Sequence, residues 1–332
     1  MTPQVLFDAT ALGFEYSLLA VGIYITFRIL NMADLTVDGS FCLGMAVSAI
    51  FTVQGMPVVG LIMGAIAGAL AGVVTGILAT KGRINPLIAG IITSTGLYSI
   101  NIFVLGSPNI SLLGVGKAYD MVHSVIAPGQ PGSASPAVAP VGGGIAQLDI
   151  SKFLFVIIIV AIIITILIAY FKTESGLAMR AVGDNEEMSA ASSINVDAVK
   201  IGGLALGNAL VGLTGGLLAQ AQGFADMSSG TGMVMVGLAC VIIGEVFGGK
   251  KSVTSGLICS VLGSVVYRLI IQFALTVNLF DANALKLISA IIVAVFMGVP
   301  ALRAYMSERK KRANAMSANK VPVPSQKKSE VK

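Results

Sequence analysis

The chain has 332 residues, of which 55% are hydrophobic and 11% are charged, and its formal net charge is +5. Because a soluble domain carries about 25% charged residues, this composition excludes an ordinary soluble domain. His123 is the single histidine, which excludes a histidine-based metal centre, and the cysteines at 42, 240 and 259 lie in apolar segments, which predicts small core residues rather than disulfides or a metal site.

Long segments without any charged residue predict a helical membrane protein. Examples are residues 39–80, 84–116, 153–171 and 201–225. A helix needs about 20 apolar residues to cross a bilayer, and the hydrophobicity is continuous rather than alternating as in barrel strands. We therefore predict an all-α polytopic membrane protein with about nine transmembrane helices. Their predicted positions are 9–29, 35–53, 57–79, 85–105, 151–171, 198–222, 231–248, 252–275 and 283–303.

Basic residues between these segments predict the orientation, because cytoplasmic loops carry an excess of Lys and Arg. The basic groups are Lys81 with Arg83, Lys172 with Arg180, Lys250 with Lys251, and the C-terminal tail. All of them lie on the cytoplasmic side only if the N-terminus is outside and the C-terminus is inside. The loop at 106–150, rich in Gly, Pro, Ser and Ala, is then an irregular external cover, and the loop at 172–197 is cytoplasmic.

The sequence divides into a transmembrane permease domain at 1–303 and a basic tail at 304–332. The tail has few large apolar residues, which predicts a disordered cytoplasmic end. Nucleic-acid binding is the other interpretation of such a cluster, but the position directly after a transmembrane helix argues against it.

Two repeated patterns occur within the predicted spans. The sequence MADLTVDGSFCLGMAVS from Met32 resembles FADMSSGTGMVMVGLAC from Phe224. With the predicted orientation these halves form an inverted repeat, an architecture used by transporters. Glycines at every fourth position (60, 64, 68, 72 and 76) predict close helix packing, with a substrate track as the minority interpretation.

The polar segment at 172–200 interrupts the apolar spans. Asp184 and Glu187 have capping-box spacing, and Met188, Ala190, Ala191 and Ile194 form an apolar stripe after them. Asn195 or Asp197 offers a second cap before the next span. We predict a short helix, a break and a long helix, which is either an ordinary capped loop or a docking helix for a cytoplasmic partner.

Charged and aromatic side chains at membrane depth are candidates for a translocation path, because burial of a charge there is costly. Asp34 and Asp38, with Thr36, are interpreted as helix caps or as contacts for a solute ammonium group. Glu15 and Arg268 are predicted to pair, and Glu245 is a gating or a snorkelling residue. Phe41, Tyr98 and Phe103 either line the path or pack in the core.

The segment AVGDNEEMSAASSINVDAVKIGGLALGNALVGLTGGLLA resembles the conserved cytoplasmic loop and following helix of ABC importer permeases of the branched-chain amino-acid and ribose-type superfamily. Gly183, Asn185, Ala190, Ala191 and Ile194 match its core, whereas Ser193 stands where the family has glycine. The segments NMADLTVDGSFCLG, KGRINPLIAGIITSTGLYS and VIIGEVFGGKKSVTSGLICSVLG resemble further family motifs. The resemblance covers about residues 15–300.

The resemblance implies that the loop helix couples the permease to an ABC ATPase subunit. The residues expected to form this contact are Arg180, Gly183, Asp184, Asn185, Glu187, Ala190, Ala191 and Ile194. The chain itself is expected to bind no cofactor: GEVFGGKK approaches a P-loop, but Lys251 stands at the Ser/Thr position and no strand precedes it. ATP with magnesium would bind to the partner ATPase.

We therefore expect the permease subunit of an ATP-driven importer in the lipid of a bacterial plasma (inner) membrane. Its further partners would be an external solute-binding protein and a second permease copy or a related permease chain. The expected solute is a branched-chain or aromatic amino acid, with a sugar or nucleoside as the alternative. An ion-coupled secondary transporter that uses Asp34, Glu15 or Glu245 is a second hypothesis. A membrane enzyme is not supported by any nucleophile motif or carboxylate pair.

Overall fold

The computed structural model of the protein describes residues 3–120, 150–248 and 252–276, together with position 294. This part of the chain is almost entirely helical, which confirms the predicted class of an all-α polytopic membrane protein. The helices are α1 (Pro3–Ile23), continued by a π-helical segment (Tyr24–Ile29), α2 (Val37–Val53), α3 (Pro57–Thr80), α4 (Pro86–Leu105), α5 (Ile150–Tyr170), α6 (Glu174–Asp184), α7 (Glu186–Ala191), α8 (Val196–Gln222), α9 (Met233–Gly248) and α10 (Val253–Thr276). Two short strands, β1 (Asn109–Ser111) and β2 (Phe224–Asp226), and a 3-10 helix (Met227–Gly230) connect them.

Six helical stretches are long and apolar enough to cross a membrane. They are Val5–Ile29, Pro57–Thr80, Pro86–Leu105, Lys152–Tyr170, Val196–Gln222 and Val253–Thr276. The predicted spans at 35–53 and 231–248 correspond to shorter apolar helices, α2 with 17 residues and α9 with 16. The predicted span at 283–303, the basic tail, Lys250 with Lys251 and most of the external loop lie outside the described residues. The number of spans and their orientation therefore stay predictions.

Helices of each half of the bundle pack against helices of the other half. α8 packs against α2 and α3, and α1 packs against α9 and α10. In each half a long helix ends at a break and a short apolar helix follows, since α1 leads to α2 and α8 leads to α9. Such an exchange of partners is expected of a repeat, and the inverted relation of the halves stays a prediction.

The glycine stripe of α3 faces its neighbours at backbone distance. A Cβ atom at Gly60 would lie 2.8 Å from the carbonyl oxygen of Ser48 in α2, and one at Gly76 would lie 2.8 Å from the Cα of Ile201 in α8. Cβ atoms at Gly68 and at Gly72 would also overlap backbone carbonyls of α8. Because α2 and α8 cover the stripe, the packing interpretation is confirmed, and the stripe is not a surface along which a solute could move.

The described part of the external loop is not wholly irregular. β1 pairs antiparallel with β2, with Ile110 opposite Ala225, and the Leu112 N–H donates to the carbonyl of Gly223 at 2.7 Å. This pairing satisfies backbone groups beyond the end of α8. The expectation of an irregular cover at 106–150 is therefore wrong for residues 109–111.

The predicted pairing of Glu15 with Arg268 is also wrong. Glu15 is fully buried, and its carboxylate lies 3.5 Å from Lys152 Nζ, so it connects α1 to α5. The guanidinium carbon of Arg268 lies 3.5 Å from the centre of the Tyr16 ring, a cation–π geometry. The cysteines at 42, 240 and 259 are buried and unpaired, which confirms their interpretation as core residues.

Candidate functional site

The loop at 172–197 folds as two helices, α6 and α7, before α8 begins. The predicted order of a short helix, a break and a long helix is confirmed for α7 and α8, whereas α6 is an additional helix. Its buried residues are Gly176, Met179 and Val182, one helical turn apart. This three-residue spacing is the signal that could have predicted α6.

The cap of α7 is Asn185 and not Asp184. The Asn185 side chain accepts a hydrogen bond from the Met188 N–H at 3.0 Å, and its backbone is extended, as an N-cap requires. Asp184 cannot take this role because it is the last residue of α6. Asn195 caps α8 by accepting from the Ala198 N–H at 3.1 Å, so Asn195 rather than Asp197 is the second cap.

The predicted apolar stripe of α7 is turned outward. Met188 is 70% exposed, and Glu187, Ala190 and Ala191 are exposed beside it, while Ile194 is half-buried. The inward residue of the helix is Ser189, whose hydroxyl donates to the Asn185 carbonyl at 2.8 Å. α7 therefore offers a small, partly apolar and acidic surface, and its contact with an ATPase stays a prediction.

Ser193 follows α7 in a left-handed conformation, with φ 63°. Glycine adopts this conformation without steric cost, whereas other residues do not. This geometry explains why the family pattern has glycine where this chain has Ser193.

Close contacts attach the two loop helices to the bundle. Gly183 in α6 lies directly against the carbonyl oxygen of Ile29, at the end of the π-helical segment, where a Cβ atom would overlap that oxygen. Met179 belongs to the same buried cluster as Ile29 and Leu204. Glu186 pairs with Lys200 of α8 at 2.6 Å. A displacement of α6 would therefore reach the first membrane helix and α8 directly.

A cleft of about 350 Å³ lies between α6 and the ends of α1 and α9. Arg180 and Asp184 of α6 line it together with Arg28 and Glu245. Arg28 and Glu245 form a bidentate ion pair across the cleft. Glu245 is thus an ion-paired residue and not a lone snorkelling side chain, and the sequence interpretation missed its partner Arg28.

A second cavity, of about 370 Å³, lies between the N-terminal part of α2, the middle of α4 and the 3-10 helix. Its polar lining residues are Asp38, Ser94, Thr95, Tyr98, Asn101 and Thr231. The structure therefore brings Asp38 and Tyr98, two of the predicted path residues, together. Ser94, Thr95, Asn101 and Thr231 were missed, although hydroxyl and amide groups within an apolar span, as at Ser94, Thr95 and Asn101, are a recognisable signal.

Asp38 joins the two halves of the bundle. Its two carboxylate oxygens accept hydrogen bonds from the N–H groups of Gly232 and Val234, each at 3.0 Å, at the start of α9. The residue that stands in the first turn of α2 thus caps α9. Asp38 is therefore a capping residue, but it caps α9 and not the start of its own helix α2, as the sequence interpretation had it.

The remaining predicted path residues do not line this cavity. Asp34 is buried, and it accepts from the Thr36 N–H at 2.8 Å and from Asn208 Nδ2 at 2.6 Å. Phe41 packs in the largest core cluster, and Phe103 is 87% exposed on the outer side of α4. In the described part of the chain, the candidate path is therefore the Asp38–Tyr98 cavity.

Comparison with known proteins identifies the family. The model of the family described as branched-chain amino acid transport system / permease component matches residues 5–300. The chain belongs to this family. It is a permease subunit of an ABC transporter and a multi-pass membrane protein, and its bacterial relatives indicate the inner membrane. As a permease of this family it works with ATPase and solute-binding partners in general.

Relatives of this permease carry different names. The tyrosine transport system permease protein of Clostridioides difficile (strain R20291) is 33% identical over 282 residues, which cover 85% of this chain and 86% of the relative. The uncharacterized protein RP368 of Rickettsia prowazekii (strain Madrid E) is 33% identical over 228 residues, 68% of this chain and 72% of the relative. The nucleoside ABC transporter permease protein NupC of Lactococcus lactis subsp. cremoris (strain MG1363) is 38% identical over 88 residues, 26% of this chain and 28% of the relative. No solved structure showed significant similarity to the chain.

Proposed function

We propose that this permease is the membrane-spanning subunit of an ATP-driven importer that takes an amino acid, branched-chain or aromatic, from an external binding protein. The exposed helix α7, attached to the first span through Gly183 and to α8 through Glu186, is the observation that carries the proposal. An ATPase that binds α7 can move membrane helices only if such attachments exist.

The coupling surface consists of Asn185, Glu187, Ala190 and Ala191 on α7, with Ile194 at its end. Arg180, Gly183 and Asp184 lie on α6, between this surface and the bundle. Binding of ATP by two ATPase subunits would draw α7 toward the cytoplasm, and α6 would transmit this movement to the cleft at Arg28 and Glu245. This is a rigid-body transition of packed elements. The proposal requires the N-terminus outside, as the basic residues predict.

Two permease chains would enclose the path. Half-way along α4, Thr95 and Tyr98 are exposed in the single chain. Polar side chains at this depth face a bundle interior or a water-filled cavity rather than lipid. A second copy or a related permease, packed near α4, would cover these exposed side chains and close the path on that side.

The solute class rests on the tyrosine transport permease, which matches most of this chain, whereas the nucleoside permease matches about a quarter. The acids that an ion-coupled transporter would use are already engaged. Glu15 is close to Lys152, Glu245 pairs with Arg28, and Asp34 is bonded to Asn208. This favours ATP coupling over ion coupling.

Reconstitution tests the energy source. The full-length chain is placed in liposomes with ABC ATPase subunits of the same organism, with ATP in the lumen and a candidate external binding protein outside. We expect uptake of L-tyrosine or L-leucine only when both ATP and the ATPase subunits are present. Uptake driven by an ion gradient without ATPase subunits would overturn the proposal.

A matched pair of variants tests the coupling surface. Ala190→Asp adds a charge on the exposed side of α7, and we expect it to weaken ATPase association and to lower uptake at least tenfold, a free-energy change of about 1.4 kcal/mol. Ala198→Asp makes the same change in the first turn of α8, where a helix N-terminus accepts a negative charge. Wild-type ATPase association in Ala190→Asp would refute the assignment of α7.

A further inference from the structure

The cavity at Asp38 lies beside α4, from the middle of this helix towards its C-terminal end. α4 extends from Pro86 to Leu105, and the residues that it contributes to the cavity lie between Ser94 and Asn101. A volume of about 370 Å³ is within the range of small-molecule sites. Tyr98, which is 58% exposed, adds an aromatic side chain at its edge.

Asp38 is the one charged residue among the described residues that line this cavity. The two amide donors of α9 fix its carboxylate in place. A carboxylate has about four acceptor positions, so these two bonds leave acceptor capacity for a ligand. The start of α9 already stabilises this carboxylate, and a cationic ligand would complement the remaining acceptor positions.

Asn101 supplies a second, independent indication of a ligand. The residue is 1% exposed, and its Nδ2 donates to the Gly39 carbonyl at 3.2 Å. Its Oδ1 is buried and has no hydrogen-bond partner. A buried acceptor without a donor costs about 1–3 kcal/mol, so native proteins seldom keep one without a reason.

The ligand that best complements this acidic cavity is a cationic hydrogen-bond donor. The described residues that line the cavity include Asp38, Asn101, Ser94, Thr95 and Thr231, but no Lys, Arg or His. A primary ammonium group has three donors, which suits a lining that is rich in acceptors and free of cationic side chains. A nucleoside or a sugar provides no positive charge to balance Asp38.

We propose that Asp38 and Asn101 bind the ammonium group of the transported solute and thereby select amino acids and other primary amines over nucleosides and sugars. This inference rests on the proposed import function and specifies its solute. Asp38 has a double role in it: the carboxylate holds the N-terminus of α9 and receives the solute. The solute would thus contact both halves of the bundle through one side chain.

Binding to the purified full-length chain in lipid nanodiscs tests the proposal without ATPase subunits. The probes are L-tyrosine, tyramine, 3-(4-hydroxyphenyl)propionate and adenosine, and their binding is measured by ligand-detected NMR titration. Tyramine has the ammonium group without the carboxylate, and 3-(4-hydroxyphenyl)propionate has the carboxylate without the ammonium group. We expect L-tyrosine and tyramine to bind roughly tenfold or more tightly than the other two probes, the size of a hydrogen bond to a charged group.

Two variants locate the ammonium contact. Asp38→Asn keeps the size of the side chain and removes its charge, and Asn101→Leu removes the free acceptor and the bond to Gly39 while keeping the number of side-chain heavy atoms. We expect tyramine binding to fall roughly tenfold in the first and several-fold in the second. Asp226→Asn is the matched control, because Asp226 caps the neighbouring 3-10 helix and does not line the cavity. Tyramine binding should be unchanged in this control.

The results separate this proposal from the proposed function. Unchanged tyramine binding in both cavity variants, absence of tyramine binding, or equally tight adenosine binding would overturn the ammonium site. If thermal unfolding shows that Asp38→Asn does not fold, tyramine binding by Asn101→Leu decides whether the ammonium site exists. ATP-dependent uptake restricted to solutes without an amine would overturn the ammonium site and leave the importer intact. ATP-independent uptake would overturn the importer, while the binding titration still decides the site.

Discussion

Arg28 donates hydrogen bonds from Nε and Nη2 to the two carboxylate oxygens of Glu245. The pair joins the end of the first membrane helix to the end of α9, and it lies beside Arg180 and Asp184 of α6 in the cleft. Arg28 belongs to the π-helical segment at Tyr24–Ile29, an irregularity that often occurs at functional sites. The ion pair thus connects the two halves of the bundle at the place where the loop at 172–197 contacts them.

We predict a modest stabilising interaction between these two residues. Arg28 is partly exposed, with 38% of its side chain accessible, so solvent screens the pair and the coupling free energy should be about 0.5–1 kcal/mol. A double-mutant cycle with Arg28→Gln and Glu245→Gln, followed by chemical unfolding, measures it. The cycle for Glu186 and Lys200 is the control, and it should give a smaller value because Glu186 is more exposed. A coupling of zero at Arg28 and Glu245 would contradict the prediction.

Gly183→Ala should uncouple the ATPase from the membrane helices. The new methyl group would overlap the Ile29 carbonyl, so α6 must move away from the first span while the exposed surface of α7 is unchanged. We expect ATPase association to be retained and ATP-dependent uptake in proteoliposomes to fall several-fold. Gly202→Ala is the control, because a methyl group at that position would have no atom within 4 Å. Full uptake by Gly183→Ala would show that this contact transmits no movement.

Asn185→Ala should destabilise α7 by about 0.5–2 kcal/mol, since it removes the side-chain acceptor of the Met188 N–H. Asp184→Ala, one residue earlier, should have little effect on α7 because Asp184 makes no capping bond there. Hydrogen exchange of the α7 amides in the two variants measures the difference. Equal loss of protection in both variants would mean that Asp184 also caps α7, as the sequence analysis predicted.

The helix order could be predicted from the sequence because charge-free segments and capping residues act over short distances. The helices begin at Pro57 and Pro86 and end at Gln222, each within one residue of the predicted span boundary. The short helix α7 and the cap at Asn195 also rest on local signals. The local features that the sequence analysis missed were α6, the cap of α7 at Asn185 and the π-helical segment, and only the π-helical segment has no distinctive residue pattern.

The partners of charged side chains could not be predicted, because they depend on how distant helices pack. Glu15 forms its ion pair with Lys152 rather than with Arg268, and Asp38 caps a helix that begins about 200 residues later. The same limit applies to the candidate path. Asp34 and Asp38 are four residues apart in the sequence, yet Asp34 is hydrogen-bonded to Asn208 whereas Asp38 lines a cavity.

Gly68→Ala should destabilise the bundle through the α3–α8 contact. A methyl group at Gly68 would overlap the backbone carbonyl of Asn208, and a backbone atom cannot rotate away as a side chain can. Overpacking of this kind costs about 1–3 kcal/mol, more than the roughly 1 kcal/mol that alanine adds to helix propensity. Thermal unfolding in detergent should show a lower midpoint for Gly68→Ala and an unchanged or higher one for Gly96→Ala, whose added methyl group would meet no atom within 4 Å. Equal midpoints for the two variants would mean that α3 and α8 are less closely packed than the glycine stripe requires.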